Sequence, residues 1–446
     1  MLDEEARTEG FNEMALKFSE YYKGKIQIFP KVPVRSLEDF SFWYTPGVAA
    51  VSRKIAENAD NSFEYTGRWN SIGILTDGTR VLGLGNVGPE AAMAVMEGKS
   101  LIFNVLGAVN AVPIPIRVRT RDEFVSVARA LEPAFGGFNL EDIESPKCFF
   151  ILEELQKSLS IPAWHDDQLG TASITLAGLI NSLRIVGKKH EDTTVVLFGS
   201  GAANIATAHL LMAAGFRGEN IIICDSKGIL HPEREDMDQL MLNNPWKYRL
   251  AMITNGERRK GGPEEAFRGA DVVVSAAKQG PGTIKKEWIR SMDRDPIIFA
   301  LANPIPEIWP SEAREAGARI VATGRGDFPN QINNSLIFPG VFRGVLDARA
   351  KGVNFKVMVA ASYELADYVK EPTEEKIVPT MEEWEIYPRV ASAVAYETAS
   401  QGLARRSGSK EHFLKVATEM IENNRRVYER MLSEGLIKPL PGTVRK

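Results

Sequence analysis

Two pairs of adjacent carboxylates are the first features of this chain that suggest chemistry. Glu141-Asp142 follows Phe135-Gly136-Gly137-Phe138-Asn139-Leu140, and Asp166-Asp167 follows Ile161-Pro162-Ala163-Trp164-His165. Each pair comes after a short apolar run and before a helical pattern. That order places it on a loop at the carboxyl end of a strand, where ligands gather in open sheets. Hard oxygen donors from two such loops suit Mg²⁺ or Mn²⁺, which bind carboxylates together with substrate oxygens and water. Acidic pairs in loops also stay solvated or cap helices, and Asp167 is placed to cap a segment beginning near Gly170. None of the five histidines has metal-site spacing. His165, with no second histidine nearby, is expected to pack or to support a ligand from behind.

Two glycine clusters compete for a dinucleotide. Gly83-Leu84-Gly85-Asn86-Val87-Gly88 matches G-x-G-x-x-G in full, whereas Gly199-Ser200-Gly201-Ala202-Ala203-Asn204 lacks the third glycine. Context selects the second. It follows the apolar run Val195-Val196-Leu197-Phe198, opens a helix, and precedes a second strand that ends in Cys224-Asp225. In that arrangement the backbone and the helix N-terminus hold a pyrophosphate, and the acid accepts from ribose hydroxyls. The alternative for this cluster is a plain glycine turn that binds nothing. Asp225 tilts the cofactor slightly toward NAD over NADP because its charge repels a 2′-phosphate, although Lys227 beside it is able to neutralise such a group. Asn204 in the third position predicts looser packing of helix on strand. The first cluster reads as a tight turn that lets the chain approach something closely.

The elements that must carry these groups differ between the two halves. From Thr194 short β-branched runs alternate with helical segments: Thr194 to Phe198, Ile221 to Cys224, Asp271 to Ser275, Pro296 to Leu301 and Arg319 to Ala322. This alternation predicts an α/β fold with a doubly wound parallel sheet. Ile205 to Ala214 supplies the first crossover helix, ended by Gly215. Upstream, a helix is expected at the N-terminus. Ser71 to Thr76, a turn at Asp77-Gly78, and Arg80-Val81-Leu82 then read as a hairpin. Pro89 opens a helix that runs to about Val105 and carries Lys99. The chain from Phe355 is helical in pattern, broken by a loop over Lys370 to Pro379.

At 446 residues the chain exceeds what one core usually serves, so two domains are expected. With 44% hydrophobic and 25% charged residues and a net charge of -4, neither disorder nor a nucleic-acid-binding face is indicated. The acidic start lacks the pattern of a signal peptide. The longest apolar stretch, Ser100 to Ile116, is interrupted by Asn104, Asn110, Pro113 and Pro115 and falls short of a membrane span. Cys148 and Cys224 cannot build a disulfide framework, which fits a reducing cytoplasm.

Taken in order, these segments resemble the malic enzyme family in its short, prokaryotic form. The resemblance rests on Phe42-Trp43-Tyr44-Thr45-Pro46-Gly47-Val48-Ala49, Leu82 to Gly88, Met96-Glu97-Gly98-Lys99, Asn139-Leu140-Glu141-Asp142-Ile143 and His165-Asp166-Asp167-Gln168-Leu169-Gly170-Thr171-Ala172. It continues through Gly199-Ser200-Gly201-Ala202-Ala203, Ala302-Asn303-Pro304, Asn330-Gln331-Ile332-Asn333-Asn334 and Phe338-Pro339-Gly340, covering roughly residues 20 to 400. It implies oxidative decarboxylation of malate to pyruvate and carbon dioxide with NAD or NADP and a divalent metal. Glu141, Asp142 and Asp167 are the implied metal ligands. Lys99 is the implied general base, Tyr44 the general acid, and Asp166 their supporting neighbour. Arg80, Asn303 and Asn334 match substrate or cofactor contacts. The resemblance further implies a substrate and metal domain over 1–160, a Rossmann-type domain over 161–400, a helical tail over 401–446, and a homodimer. A malolactic enzyme, releasing lactate from much the same site, is the nearest rival; an amino-acid dehydrogenase and a non-catalytic sensor are more distant. Leu169 and Asn204 depart from the usual family residues, and neither removes a proposed ligand or acid-base group.

Overall fold

The computed structural model describes residues 2–81 and 83–441. The expected N-terminal helix spans Leu2–Tyr22. The first sheet has four strands in the order β2-β1-β3-β4, namely β1 (Ser71–Thr76), β2 (Asn110–Pro115), β3 (Gly137–Leu140) and β4 (Ala163–His165), all parallel. The expected hairpin is therefore absent. Both edges of β1 are already taken by parallel partners, β2 and β3, so no returning strand can pair with it. Instead the chain turns on itself: Thr76 Oγ1 accepts from Gly78 N, Asp77 Oδ1 accepts from Thr79 N, and Val81 pairs only with Gly85. Gly78 has φ +68, and a Cβ there would lie 2.2 Å from the Gly88 carbonyl oxygen, so only glycine fits. Leu82, part of the expected hairpin, lies outside the described residues.

The second sheet has the order β10-β9-β8-β5-β6-β7, formed by β5 (Val195–Phe198), β6 (Ile221–Asp225), β7 (Gly228–Ile229), β8 (Val272–Ser275), β9 (Ile297–Ala300) and β10 (Ile320–Thr323). All pairings are parallel except the short β6-β7 return. Apart from that return, this is the doubly wound order, with its switch point between β5 and β8. Its strands are apolar apart from the carboxyl-terminal Asp225, Ser275 and Thr323, because both faces are covered. Val195, Leu197, Ile223, Val272 and Val274 pack into one cluster, while Val196, Ile222, Val273 and Ile298 pack into another.

The larger cluster is shared. It joins Ile72, Ile74, Phe138 and Trp164 of the first sheet to one face of the second. β4, which a boundary at 160/161 would assign to the nucleotide-binding half, completes the first sheet. The C-terminal helices Phe338–Asp347, Phe355–Tyr368, Ile386–Ser400 and Lys410–Ser433 are present, with the expected loop between the second and third. They fold back on the upstream half, and Phe338 (tilted) and Phe342 (edge to face) pack against Phe103 of helix Gly88–Gly107. The stretch Asp166–Val186 is long and apolar enough to cross a bilayer, but 78% of its most apolar window is buried inside the fold.

Candidate active site

The carboxylate pairs stand where strand ends place them. Glu141 follows β3 directly and Asp166 follows β4, and these strands are adjacent and parallel, so the two pairs emerge side by side. Asp166–Gly170 is a wide helical turn that runs straight into helix Thr171–Val186. Asp167 does not cap that helix, contrary to expectation. Its Oδ2 accepts from Asp142 N at 3.0 Å, which ties one strand end to the other. Ligand oxygens of Glu141, Asp142 and Asp167 lie within 4.8 Å of one another. Three hard donors so arranged fit Mg²⁺ or Mn²⁺.

Lys99 reaches the same place from the helix Gly88–Gly107 and is only 8% exposed. Its Nζ lies 2.6 Å from Glu141 Oε1, also contacts Asp166 Oδ2, and sits 4.6 Å from the centre of the Phe338 ring. Burial works against the ammonium, but Asp166 and Glu141 outweigh it and hold the Lys99 pKa above its ordinary value. Burial likewise pushes the carboxyls of Glu141 and Asp166 up, despite Lys99 beside them. Asp166 is fully buried; its Oδ2 also accepts from Asn334 Nδ2, while its Oδ1 has no hydrogen-bond partner among the described residues. Four carboxylates therefore share Lys99 and the nearby charge of Arg80, which leaves room for a cation.

The other predicted residues are distributed unevenly. Arg80 donates its backbone N–H to the Asp142 carbonyl at 3.0 Å, so the glycine loop that follows it adjoins the carboxylates. A Cβ on Gly83 would lie 3.3 Å from the Asn303 carbonyl oxygen, which brings the same loop against the turn after β9. Asn303 itself is exposed and packs its amide against Gly324. Tyr44 ends the short helix Asp39–Trp43, is 70% exposed, and makes backbone hydrogen bonds to Phe40 and Val48. No described contact joins Tyr44 to the carboxylates. His165 is buried with its pKa pushed down to about 4 by desolvation, and its Nδ1 is 3.7 Å from Asp167 Oδ2, behind that carboxylate.

The second glycine cluster has the architecture a dinucleotide needs. Gly199 has φ +93, and a Cβ there would lie 2.5 Å from the Ala276 carbonyl oxygen; a Cβ on Gly201 would meet nothing. Gly201 caps helix Ala202–Ala213 without any side-chain hydrogen bond, so the backbone beside Ser200, Ala202 and Ala203 is open to a phosphate. Asn204 does not loosen the packing as expected. It is buried, and its Nδ2 donates to the carbonyls of Gly199 (2.9 Å), Phe198 (3.1 Å) and Val274 (3.2 Å), binding β5 to β8. Asp225 is engaged inside the protein: Oδ1 accepts from Arg234 Nη1 and Oδ2 from Lys247 Nζ, each at 3.0 Å.

Two supporting residues escaped the sequence reading. Asn139, fully buried, donates Nδ2 to Glu141 Oε2 at 2.8 Å and orients that carboxylate. Glu307, also fully buried, accepts from Ser275 Oγ (2.7 Å), Ala277 N (3.0 Å) and Ala302 N (3.1 Å), clamping the turns after β8 and β9. The available signal for Glu307 was a charged residue inside the otherwise apolar run Ile305-Pro306-Glu307-Ile308.

Comparison with known proteins agrees with this geometry. The malic enzyme N-terminal domain family matches residues 23–156, and the malic enzyme NAD-binding domain family matches residues 169–400. The bifunctional malic/malolactic enzyme of Bacillus subtilis is 44% identical over 88% of this chain and 94% of its own length. The NAD-dependent malic enzyme of Geobacillus stearothermophilus is 45% identical over 86% of this chain and 78% of its own. The crystal structure of Entamoeba histolytica malic enzyme superposes with a TM-score of 0.94 at 40% identity, covering 98% of this chain and 91% of that one. With both domain families matched in order and its carboxylates, lysine and open glycine turn assembled, the chain belongs to the malic enzyme family of NAD(P)-dependent oxidoreductases.

Proposed function

We propose that this chain oxidises and decarboxylates (S)-malate to pyruvate and carbon dioxide, reducing NAD⁺ or NADP⁺. The observation that carries the reading is the convergence of Glu141, Asp142 and Asp167 from two strand ends around the buried amine of Lys99. A divalent cation held by those three carboxylates would polarise the substrate hydroxyl and later its ketone, and would draw the Glu141 charge away from Lys99. Lys99, once its ammonium has given up a proton to solvent, takes the proton of the C2 hydroxyl, while Asp166, itself held by Asn334, keeps the amine in place. Arg80 binds a substrate carboxylate, Asn303 contacts both substrate and cofactor, and Gly199 to Asn204 seat the dinucleotide. Tyr44 returns a proton to the enol that remains after carbon dioxide leaves.

The test is absorbance at 340 nm with malate, Mn²⁺, and NAD⁺ or NADP⁺ in parallel. Reduced cofactor and pyruvate should form, chelation should stop the reaction, and Mn²⁺ should restore it. No reduction with either cofactor refutes the reading. A malolactic activity is the second reading, favoured by the Bacillus subtilis relative, whose name carries both activities. Lactate without net cofactor reduction is its signature. The working form is a cytoplasmic homodimer. In support, the segment before β1 exposes Ile28, Phe29, Leu37, Phe42 and Trp43, apolar surface that a second copy would cover.

A further inference from the structure

The turn after β9, residues 302–309, carries Asn303 and is held from two sides by different means. On the β8 side Glu307 binds Ser275 Oγ and the backbone N–H groups of Ala277 and Ala302, inside the protein. On the β10 side the grip comes from the neighbouring turn. Arg325 Nη1 donates to the Pro304 carbonyl at 2.8 Å, one residue past Asn303. Because β9 and β10 are adjacent and parallel, their turns leave the sheet side by side, and a side chain of one reaches the backbone of the other.

Arg325 is itself fixed. Its Nε and Nη2 donate to Asp327 Oδ1 and Oδ2 at 2.9 and 2.8 Å, a two-pronged pair that sets the plane of the guanidinium. The guanidinium carbon lies 5.6 Å from the centre of the Phe328 ring and 6.0 Å from that of Trp309, so two aromatic rings limit its travel. The side chain is only 14% exposed. Gly324, beside it in the chain, gives the Asn303 amide its place: a Cβ there would lie 2.5 Å from Asn303 Nδ2. The Asn303 carbonyl meets the Gly83 loop, and that loop is tied to the carboxylates where Arg80 N donates to the Asp142 carbonyl. Asn303 therefore stands between the β10 turn and the metal-site loop, and Arg325 sets its backbone through Pro304.

We propose that Arg325 is a positioning residue for malate oxidation: it pins Pro304 to the turn after β10 and so holds the Asn303 amide over Gly324, where substrate and cofactor meet it. This rests on the contacts proposed above for Asn303. Lysine keeps the charge but cannot hold both Asp327 oxygens and the Pro304 carbonyl from one plane. The test is a double-mutant cycle on the full chain with Mn²⁺, read as kcat/KM for malate, beside fluorescence titration with NADH in the absence of malate and metal. Arg325→Lys should lower kcat/KM by about tenfold, the loss of one charge-assisted hydrogen bond, and should weaken NADH binding. In an Asn303→Ala background the same change should cost less than about twofold in either measurement, because no amide remains to be positioned. Gly324→Ala crowds the amide without touching the ion pair and should follow the same pattern, which keeps the test open if Arg325→Lys folds poorly. A side chain that serves stability alone costs the same in both backgrounds. That result overturns the proposal, as does an Arg325→Lys variant within about twofold of the unaltered chain. Asn303→Ala with full turnover and full NADH affinity refutes the Asn303 contacts themselves and this proposal with them. Absence of malate oxidation refutes the reaction proposed above, and the NADH cycle then decides the role of Arg325.

Discussion

Lys99 shows why one residue type can be read in opposite ways. A lysine on a helix is ordinarily solvated, yet this one is buried between Glu141 and Asp166 over an aromatic ring. That setting favours its ammonium, whereas the base proposed above must lose its proton. The carboxylates that hold it are therefore part of its control. Lys99→Ala should cost malate oxidation about 10²–10⁴-fold, the usual contribution of an acid-base group, with the fold checked by circular dichroism. Tyr44→Phe should divide the reaction differently, slowing enol protonation by about 10²-fold while sparing reduction of a keto acid. Equal losses in both partial reactions would remove Tyr44 from its proposed part. The proposed metal ligands were visible as acidic pairs, but spacing alone left helix capping open for Asp167. Its bond to the Asp142 amide closes that question, because such a bond requires two strand ends to be neighbours.

Turns at the ends of strands do the positioning, and Glu307 is the clearest case. Its carboxylate accepts three hydrogen bonds, two of them from backbone N–H groups that no other acceptor serves among the described contacts. Glu307→Gln replaces one of its two acceptor oxygens by an amide donor and so faces at least one of those backbone donors with another donor. It should destabilise the protein by roughly 1–3 kcal/mol, read from thermal unfolding, and raise KM for the cofactor more than KM for malate. An unchanged cofactor KM would restrict Glu307 to stability. The same logic explains Asn204. A glycine in that position permits close packing by being small; the asparagine is accommodated by hydrogen-bonding the strand ends. Five of the six strands of the second sheet were legible because continuous β-branched runs have few alternatives when both faces are buried; the two-residue β7 carries no such run. In the first sheet Ser71 to Thr76 is a strand as expected, but it pairs with the sequence-distant β2 and β3 and not with the run that directly follows it.

The molecule as a whole leaves its N-terminal segment poorly covered. Ile28 is 94% exposed, and Phe29, Leu37, Phe42 and Trp43 accompany it in the stretch that ends at Tyr44. The proposed dimer would cover this segment and with it set the access of Tyr44 to the site. Ile28→Asp with Phe29→Asp should convert a dimer to monomers in light scattering, because unpaired charges would be buried at the contact. Turnover should fall with it. A dimer that persists with full activity would place the contact elsewhere.

The strands of the nucleotide-binding sheet, the choice of the second glycine cluster over the first, and the acidic pairs were all set by local pattern: apolar period, a glycine before a helix, charge after a run. Such signals act over a few residues and survive without knowledge of the rest of the chain. Pairing does not. Whether β1 meets Arg80-Val81 or β2 and β3, whether β4 joins the first sheet or the second, and whether Asp225 faces a ribose or two cations depend on contacts across long stretches of sequence. These were settled by packing, since a strand edge pairs only once and a buried charge must find its partners wherever the fold brings them.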